Sequence, residues 1–279
     1  MRLLITGAGG QLGRALQAAL RDHSVVALDH AGLDITRLAP VRAAIRTYRP
    51  QLVINAAAFN AVDAAQTEVA AAYGVNALGP RNLAVATAAE GIALLHVSTD
   101  YVFDGTASRP YHEFDCPNPR SVYGASKLAG ERTVRSLNHR HYIVRTAWLY
   151  DNTGRNFPNT MLRLAQQPPV RVVNDQYGSP TFAPHLAEAI GQLIETDAFG
   201  TYHLAGRGGT NWFELARSLY QALEIATPVQ PVPTSEFPHP APRPAYSVLT
   251  TLQDPCILLP PWEEGLKAFV EAVRDGRVR

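Results

Sequence analysis

The sequence predicts an α/β protein built on a doubly wound parallel sheet, with a smaller C-terminal lobe. Short apolar runs alternate with longer helical patterns as far as residue 150. Those runs lack strict polar–apolar alternation, as expected of strands buried on both faces. A glycine-rich turn joins the first run to the first helix, the junction where such sheets hold phosphate groups.

Each element follows from its residues. RLLIT (2–6), VVALD (25–29), QLVIN (51–55), ALLHVS (93–98) and YIVRT (142–146) are rich in Val, Ile and Leu and end in polar or small residues. They are expected strands. Between them, helices are expected over 11–21, 38–48, 67–90 and 122–137, so the sheet should be parallel with helices on both faces. Beyond residue 150 come a helix near 156–166, the strand-like VRVVN (170–174), a helix near 184–195, GTYHLA (200–205) and a helix near 211–223. TPVQPVPTSEFPHPAPRP (227–244) is expected to be loop, because its prolines fix φ and lack a backbone donor. An amphipathic helix from Trp262 to Arg274 closes the chain. The expected division is a dinucleotide-binding core over 1–150 and mainly a substrate-binding lobe over 151–279, with room for segments that return to the core.

Composition excludes several classes. Hydrophobic residues make up 46 % and charged residues 18 %, a balance that suits a folded protein. Lys plus Arg total 25 against 24 Asp plus Glu, so no basic excess points to nucleic acid or an anionic membrane. Cys116 and Cys256 can build neither a disulfide framework nor a closed zinc site, and the histidines show no HExxH spacing, so no metal is expected. The apolar stretch in MRLLITGAGGQLG is too short for a signal or membrane span, and the expected location is the cytoplasm.

In TGAGGQLG (6–13), Gly7 permits a tight turn, Gly10 lets the backbone approach a pyrophosphate, and Gly13 lets helix and strand pack closely. The helix N-terminus adds free N–H groups and a positive dipole end. No Gly-Lys-Ser/Thr follows, which rules out a Walker A loop. Asp29 ends the second strand. It is either a partner for adenosine ribose hydroxyls, favouring NAD over NADP, or a turn residue beside Gly32 and Asp34. Arg14 and His30 lie close enough in sequence to leave NADPH open.

SVYGASKLAGE (121–131) sets Tyr123 and Lys127 four residues apart, on one face of a helix. A lone Y-x-x-x-K is common surface decoration. This one follows a strand that runs into Thr99-Asp100-Tyr101, and ligands of open parallel sheets sit at strand ends. Reducing a ketone with a nicotinamide coenzyme leaves an alkoxide that must be protonated. A phenol has a pKa of about 10, and a nearby ammonium lowers it. The Thr99 hydroxyl can stabilise the developing oxyanion. The three residues together are expected to be catalytic.

The glycine turn, STDYVFDG (98–105) and VYGASKLAGE (122–131) resemble those of the extended short-chain dehydrogenase/reductases. NAAAFNAVDAAQ (55–66), RTAWLY (145–150), NFPNTMLRLA (156–165), NDQYGSPT (174–181), GTYHLAG (200–206) and RPAYSVL (243–249) narrow the resemblance to the dTDP-4-dehydrorhamnose reductase family, in order along nearly the whole chain. The resemblance implies a Rossmann-like core and NADPH- or NADH-dependent reduction of the C4 ketone of dTDP-4-dehydro-6-deoxy-L-mannose to dTDP-L-rhamnose, by a homodimer. It also implies Tyr123 as proton donor, Lys127 as its pKa-lowering neighbour and Thr99 as assisting hydroxyl. Gly10, Gln11 and Leu12 would line the pyrophosphate, Asp29, Asp34 and Ile35 the adenosine, and Ala58, Phe59 and Asn60 the rest of the coenzyme. Thr99, Asp100 and Trp148 would meet the sugar nucleotide, with Asp175, Gln176 and Arg243 as further substrate-side candidates.

The sequence departs from the family at Phe59-Asn60, where histidine or tyrosine followed by threonine is usual, and at Thr250-Thr251, where Asn or Asp often follows. Other readings stand beside these. Trp148 is also a plausible core aromatic, Asp175 and Gln176 a turn, and Arg243 a solvated loop charge. Asn76, in the long helix, reads as a buried polar joint bridging strands or as an element of a proton relay, with the structural role preferred. At the level of function, the same resemblance fits a partner subunit like the regulatory β subunit of methionine adenosyltransferase, or a sugar-nucleotide epimerase or dehydratase.

Overall fold

The computed structural model describes residues 1–278. Its strands are β1 (Arg2–Thr6), β2 (Ser24–Leu28), β3 (Leu52–Asn55), β4 (Ala93–Thr99), β5 (His141–Thr146), β6 (Leu149–Tyr150), β7 (Val170–Val173), β8 (Tyr177–Gly178), β9 (Thr181–Phe182), β10 (Gly200–His203), β11 (Thr210–Asn211) and β12 (Val229–Val232). The α-helices are α1 (Gln11–Ala19), α2 (Leu38–Tyr48), α3 (Val69–Tyr73), α4 (Gly79–Ala89), α5 (Val122–Leu137), α6 (Phe157–Leu164), α7 (Ala183–Ile194), α8 (Trp212–Ala222) and α9 (Trp262–Arg274).

Six strands form one parallel sheet in the order β10-β5-β4-β3-β1-β2. The expected α/β class and doubly wound parallel sheet are therefore what the chain adopts. Alternate residues of each strand feed opposite faces. Leu3, Ile5, Ile54, Leu95 and Val144 pack with α1 and α7, while Leu4, Val53, Leu94 and Ile143 pack with α2 and α4. The chain leaves β1 for β2 on one side and then crosses to β3 on the other, so the strand order reverses between β1 and β3. A crevice opens there beyond the carboxyl ends, the usual ligand position in such sheets.

Two expectations change in detail. The helix expected over 67–90 is broken by a π turn at Gly74–Leu78. There the Asn76 side chain reaches out of the helix, accepting from Phe59 N at 2.8 Å and donating to Phe59 O at 2.9 Å and Ser126 Oγ at 3.0 Å. The proline-rich loop contains β12, which pairs in parallel with β7. Prolines are tolerated because the flanking bonds draw their donors from β7: Val170 N reaches Pro228 O and Asn174 N reaches Val232 O, both at 3.0 Å. Within 151–279, β10 joins the edge of the main sheet beside β5, and α7 packs in the same apolar layer as α1. A further cluster gathers Tyr150, Met161, Val170, Phe182, Leu215 and Phe269. Among the described residues, no helix is long and apolar enough to cross a membrane, and no group of three or more His, Cys, Asp or Glu is placed to hold a metal.

Candidate active site

The crevice divides into two adjoining cavities that share Gly10, Ala56, Ala58 and Asn60. The outer one, about 460 Å³, is bounded by Gly7, Asp29, His30, Asp34, Ile35 and Val75. The inner one, about 350 Å³, is bounded by Gln11, Leu12, Gly13, Thr99, Asp100, Tyr123, Lys127 and Trp148.

The glycine turn builds the floor. Gly7 has φ +74°, and a Cβ there would stand 2.5 Å from Ala57 N. A Cβ on Gly13 would stand 2.3 Å from Gly7 O and 2.8 Å from the Ala8 backbone. Only glycine fits either position without moving the backbone. Helix α1 starts with no side-chain cap at Gly10, which leaves its first N–H groups facing the crevice mouth. Three buried polar atoms lining the inner cavity have no hydrogen-bond partner among the described residues: Ser98 Oγ, Asp100 Oδ2 and Thr146 Oγ1. An uncapped helix start beside a polar cleft fits a dinucleotide pyrophosphate and its nicotinamide end.

Asp29 and Asp34 both border the outer cavity, and both also form turns. Asp29 Oδ1 accepts from Gly32 N at 2.9 Å, and Asp34 Oδ1 accepts from Thr36 N at 2.9 Å and Thr36 Oγ1 at 2.6 Å. The Thr36 bonds hold the Asp34 carboxyl below its usual pKa. Leu12 and Ile35 are buried in the core clusters, so they shape the cavities largely from behind. Phe59 borders neither cavity; its backbone is the part that Asn76 grips.

Tyr123, Lys127 and Thr99 converge on the inner cavity. Ser121 caps α5 by accepting from Gly124 N at 3.1 Å, which sets the helix start beside the Thr99 end of β4. Tyr101 meets the Tyr123 ring edge-on at 5.6 Å. Lys127 Nζ donates to Val97 O at 2.6 Å. The Thr99 hydroxyl donates to Asp100 Oδ1 at 3.1 Å and accepts from Tyr101 N at 3.2 Å.

Desolvation pushes the Tyr123 phenol up to about 12, the Thr99 hydroxyl pulls it down, and the Asp100 charge adds to the rise. Burial lowers Lys127 to about 8 against the opposing charge of Glu131, and raises Asp100 to about 6 against hydrogen bonds from Ser247 and Thr99. A phenol at about 12 stays protonated at neutral pH, which a proton donor requires.

The remaining candidates separate. Trp148 borders the inner cavity, whereas Asp175, Gln176 and Arg243 do not. Asp175 accepts from Thr234 N at 3.0 Å, and Gln176 joins Thr234 Oγ1 at 2.9 Å to Trp212 Nε1 at 3.2 Å. Arg243 closes a two-armed ion pair on Asp63 at 2.5 and 2.8 Å. Sequence reasoning missed Trp212, Val62 and Thr146, which also border the inner cavity. Only tertiary folding brings Trp212 there, and no motif marks it.

The sequence matches the family described as RmlD substrate binding domain over residues 1–275. The dTDP-4-dehydrorhamnose reductase of Aggregatibacter actinomycetemcomitans is 41 % identical over 285 residues, covering 95 % of this chain and 97 % of that protein. The enzyme of the same name from Streptomyces griseus is 47 % identical over 259 residues, covering 89 % and 85 %. The Bacillus anthracis dTDP-4-dehydrorhamnose reductase, solved in complex with NADP, superposes with a TM-score of 0.94 at 42 % identity over 96 % of this chain and 98 % of that one. A Thermus thermophilus UDP-glucose 4-epimerase at 22 % identity, with a TM-score of 0.80 over 98 % of this chain and 99 % of that one, shares the fold alone.

Proposed function

The chain belongs to the dTDP-4-dehydrorhamnose reductase family, and on that premise we propose that it reduces the C4 ketone of dTDP-4-dehydro-6-deoxy-L-mannose to dTDP-L-rhamnose with NADPH or NADH. The observation that carries this reading is the convergence of Tyr123, Lys127 and Thr99 on one cleft with the uncapped start of α1.

The coenzyme, when bound, supplies the hydride; Gly10, Gln11, Leu12 and Gly13 would hold its pyrophosphate, with Asp29, Asp34 and Ile35 toward the adenosine and Ala58 and Asn60 between. Tyr123 holds a proton at its phenolic oxygen at neutral pH and gives it to the oxygen of the reduced carbon. Thr99 orients that oxygen through its hydroxyl. Lys127, anchored by Val97 O, brings a positive charge to the same cavity, which favours the phenolate left after donation. Asp100 and Trp148 border the sugar side. The substrate lobe is drawn mainly from 151–279. The exposed free thiols of Cys116 and Cys256 support the cytoplasm as the site of reaction. A homodimer completes the reading, and light scattering tests it.

Replacing Tyr123 by Phe is expected to lower kcat by roughly 10²–10⁴-fold while NAD(P)H binding persists. Absorbance of the reduced coenzyme follows the reaction. A folded Tyr123→Phe protein that reduces the 4-keto sugar at the wild-type rate would overturn the assignment.

A further inference from the structure

Asn55 ends β3 at the crevice, with Thr6 of β1 and His96 of β4 as its register partners on either side. Thr6 is 1 % exposed and the other two 0 %. Their side chains make a row of bonds across the three strands. Thr6 Oγ1 donates to Asn55 Oδ1 at 2.7 Å, and Asn55 Nδ2 lies 3.0 Å from His96 Nδ1. Asn55 Oδ1 also accepts from Ala57 N at 3.2 Å.

The backbone decides the direction of these bonds. The Ala57 N–H can only donate, so the oxygen of the Asn55 amide faces it and the NH2 group faces His96. His96 Nδ1 therefore accepts, and the neutral ring carries its proton on Nε2. Nε2 has no partner among the described residues, so nothing on that side opposes the assignment. Burial, and after it the Lys127 charge, hold the ring well below its usual pKa, which keeps it neutral.

The row ends on the wall of the cleft. A Cβ on Gly7 would stand 2.5 Å from Ala57 N, so that amide lies between Asn55 and the glycine turn. Ala56 and Ala58 border both cavities, and Ala57 borders the outer one. The other edge of the imidazole meets α5, where a Cβ on Gly130 would lie 3.3 Å from His96 Nε2. His96 thus stands between the helix that carries Tyr123 and Lys127 and the turn that walls the cleft.

We infer that His96 is a positioning residue for the coenzyme: its Nδ1 holds the Asn55 amide, whose oxygen sets the Ala56–Ala58 backbone against the glycine turn. That NAD(P)H lies along this backbone rests on the reductase reading above; the row of bonds does not.

Asparagine and glutamine separate the two ring nitrogens. Asparagine places its side-chain oxygen near the Nδ1 position, whereas glutamine places its amide near the Nε2 position. His96→Gln should raise the dissociation constant for NAD(P)H by up to about tenfold, the order of one hydrogen bond, with the sugar KM unchanged. His96→Asn should recover most of that loss, and coenzyme fluorescence titration measures both. Nitrogen-15 NMR of the coenzyme-free wild type reads the tautomer directly, the His96 signal being the one missing from His96→Asn. A neutral ring protonated on Nε2 is expected at neutral pH. Equal coenzyme affinity in the two folded variants, equal losses for coenzyme and sugar, or a proton on Nδ1 would overturn the inference. A wild type that binds no NAD(P)H would sink the reductase reading instead. The NMR spectrum then decides the row of bonds: a proton on Nε2 supports it, and one on Nδ1 refutes it.

Discussion

Asp100 borders the inner cavity as a buried carboxylic acid. Its carboxyl is 2 % exposed, and Oδ2 finds no partner among the described residues. Burial raises its pKa from 3.8 to about 6, so the folded protein binds more protons than the unfolded chain between those values. Stability therefore falls as pH rises through that window. At ~1.4 kcal/mol per pH unit, the penalty above pH 6 is on the order of 3 kcal/mol. Asp100→Asn should raise the melting temperature at pH 7, and the gain should vanish near pH 4, while the sugar KM worsens. Melting curves at the two pH values check the sign; a gain of equal size at both would refute the titration argument. Tyr123 and Lys127 were legible in the sequence as a helical pair. Their ionisation was not, because desolvation depends on everything packed around them.

At the level of elements, the turn between β1 and α1 carries the most exacting geometry. Gly13 sits 2.3 Å, as a notional Cβ, from Gly7 O, so Gly13→Ala must push α1 away from the turn. The expected cost is about 1–3 kcal/mol in stability, together with weaker NAD(P)H binding. Coenzyme fluorescence titration and urea unfolding measure the two effects. The glycine spacing declared this turn in advance, and Val122–Leu137 formed as the spacing required. The break at Gly74–Leu78 was hidden, since helical periodicity continues through it. The cause lies in bonds from Asn76 to Phe59 and Ser126, the latter 50 residues away in sequence. β12 was hidden for a related reason: proline content argues against a strand, but the partner strand supplies the donors.

Across the whole molecule, a buried charge network ties α5 to β5 and to the sheet edge. Arg145 pairs with Glu131 through Nε at 2.9 Å and Nη2 at 2.7 Å, with the side chains 2 % and 0 % exposed. Its guanidinium lies over the Phe103 ring at 5.2 Å and 3.4 Å from His203 of β10. Glu113 accepts from His203 N at 2.8 Å and from Leu252 N at 3.0 Å, which carries the network to the C-terminal segment. Glu131→Gln leaves the guanidinium buried without its counter-charge, so a loss of about 3–5 kcal/mol is expected. The midpoint of chemical denaturation measures it; a shift below ~1 kcal/mol, the scale of an exposed pair, would show that the network is not structurally important.

The sequence alone determined the parallel sheet, the glycine-rich turn and the tyrosine–lysine pair, because each depends on spacing within a short segment. Tertiary structure alone decided that Trp212 joins Trp148 at the cleft, and that Arg243 is paired with Asp63. It also decided that the Tyr123 phenol is buried beside Thr99 and Asp100, and that burial raises its pKa. Those outcomes depend on which distant surfaces meet and how much water they exclude, and neither quantity is written in local spacing.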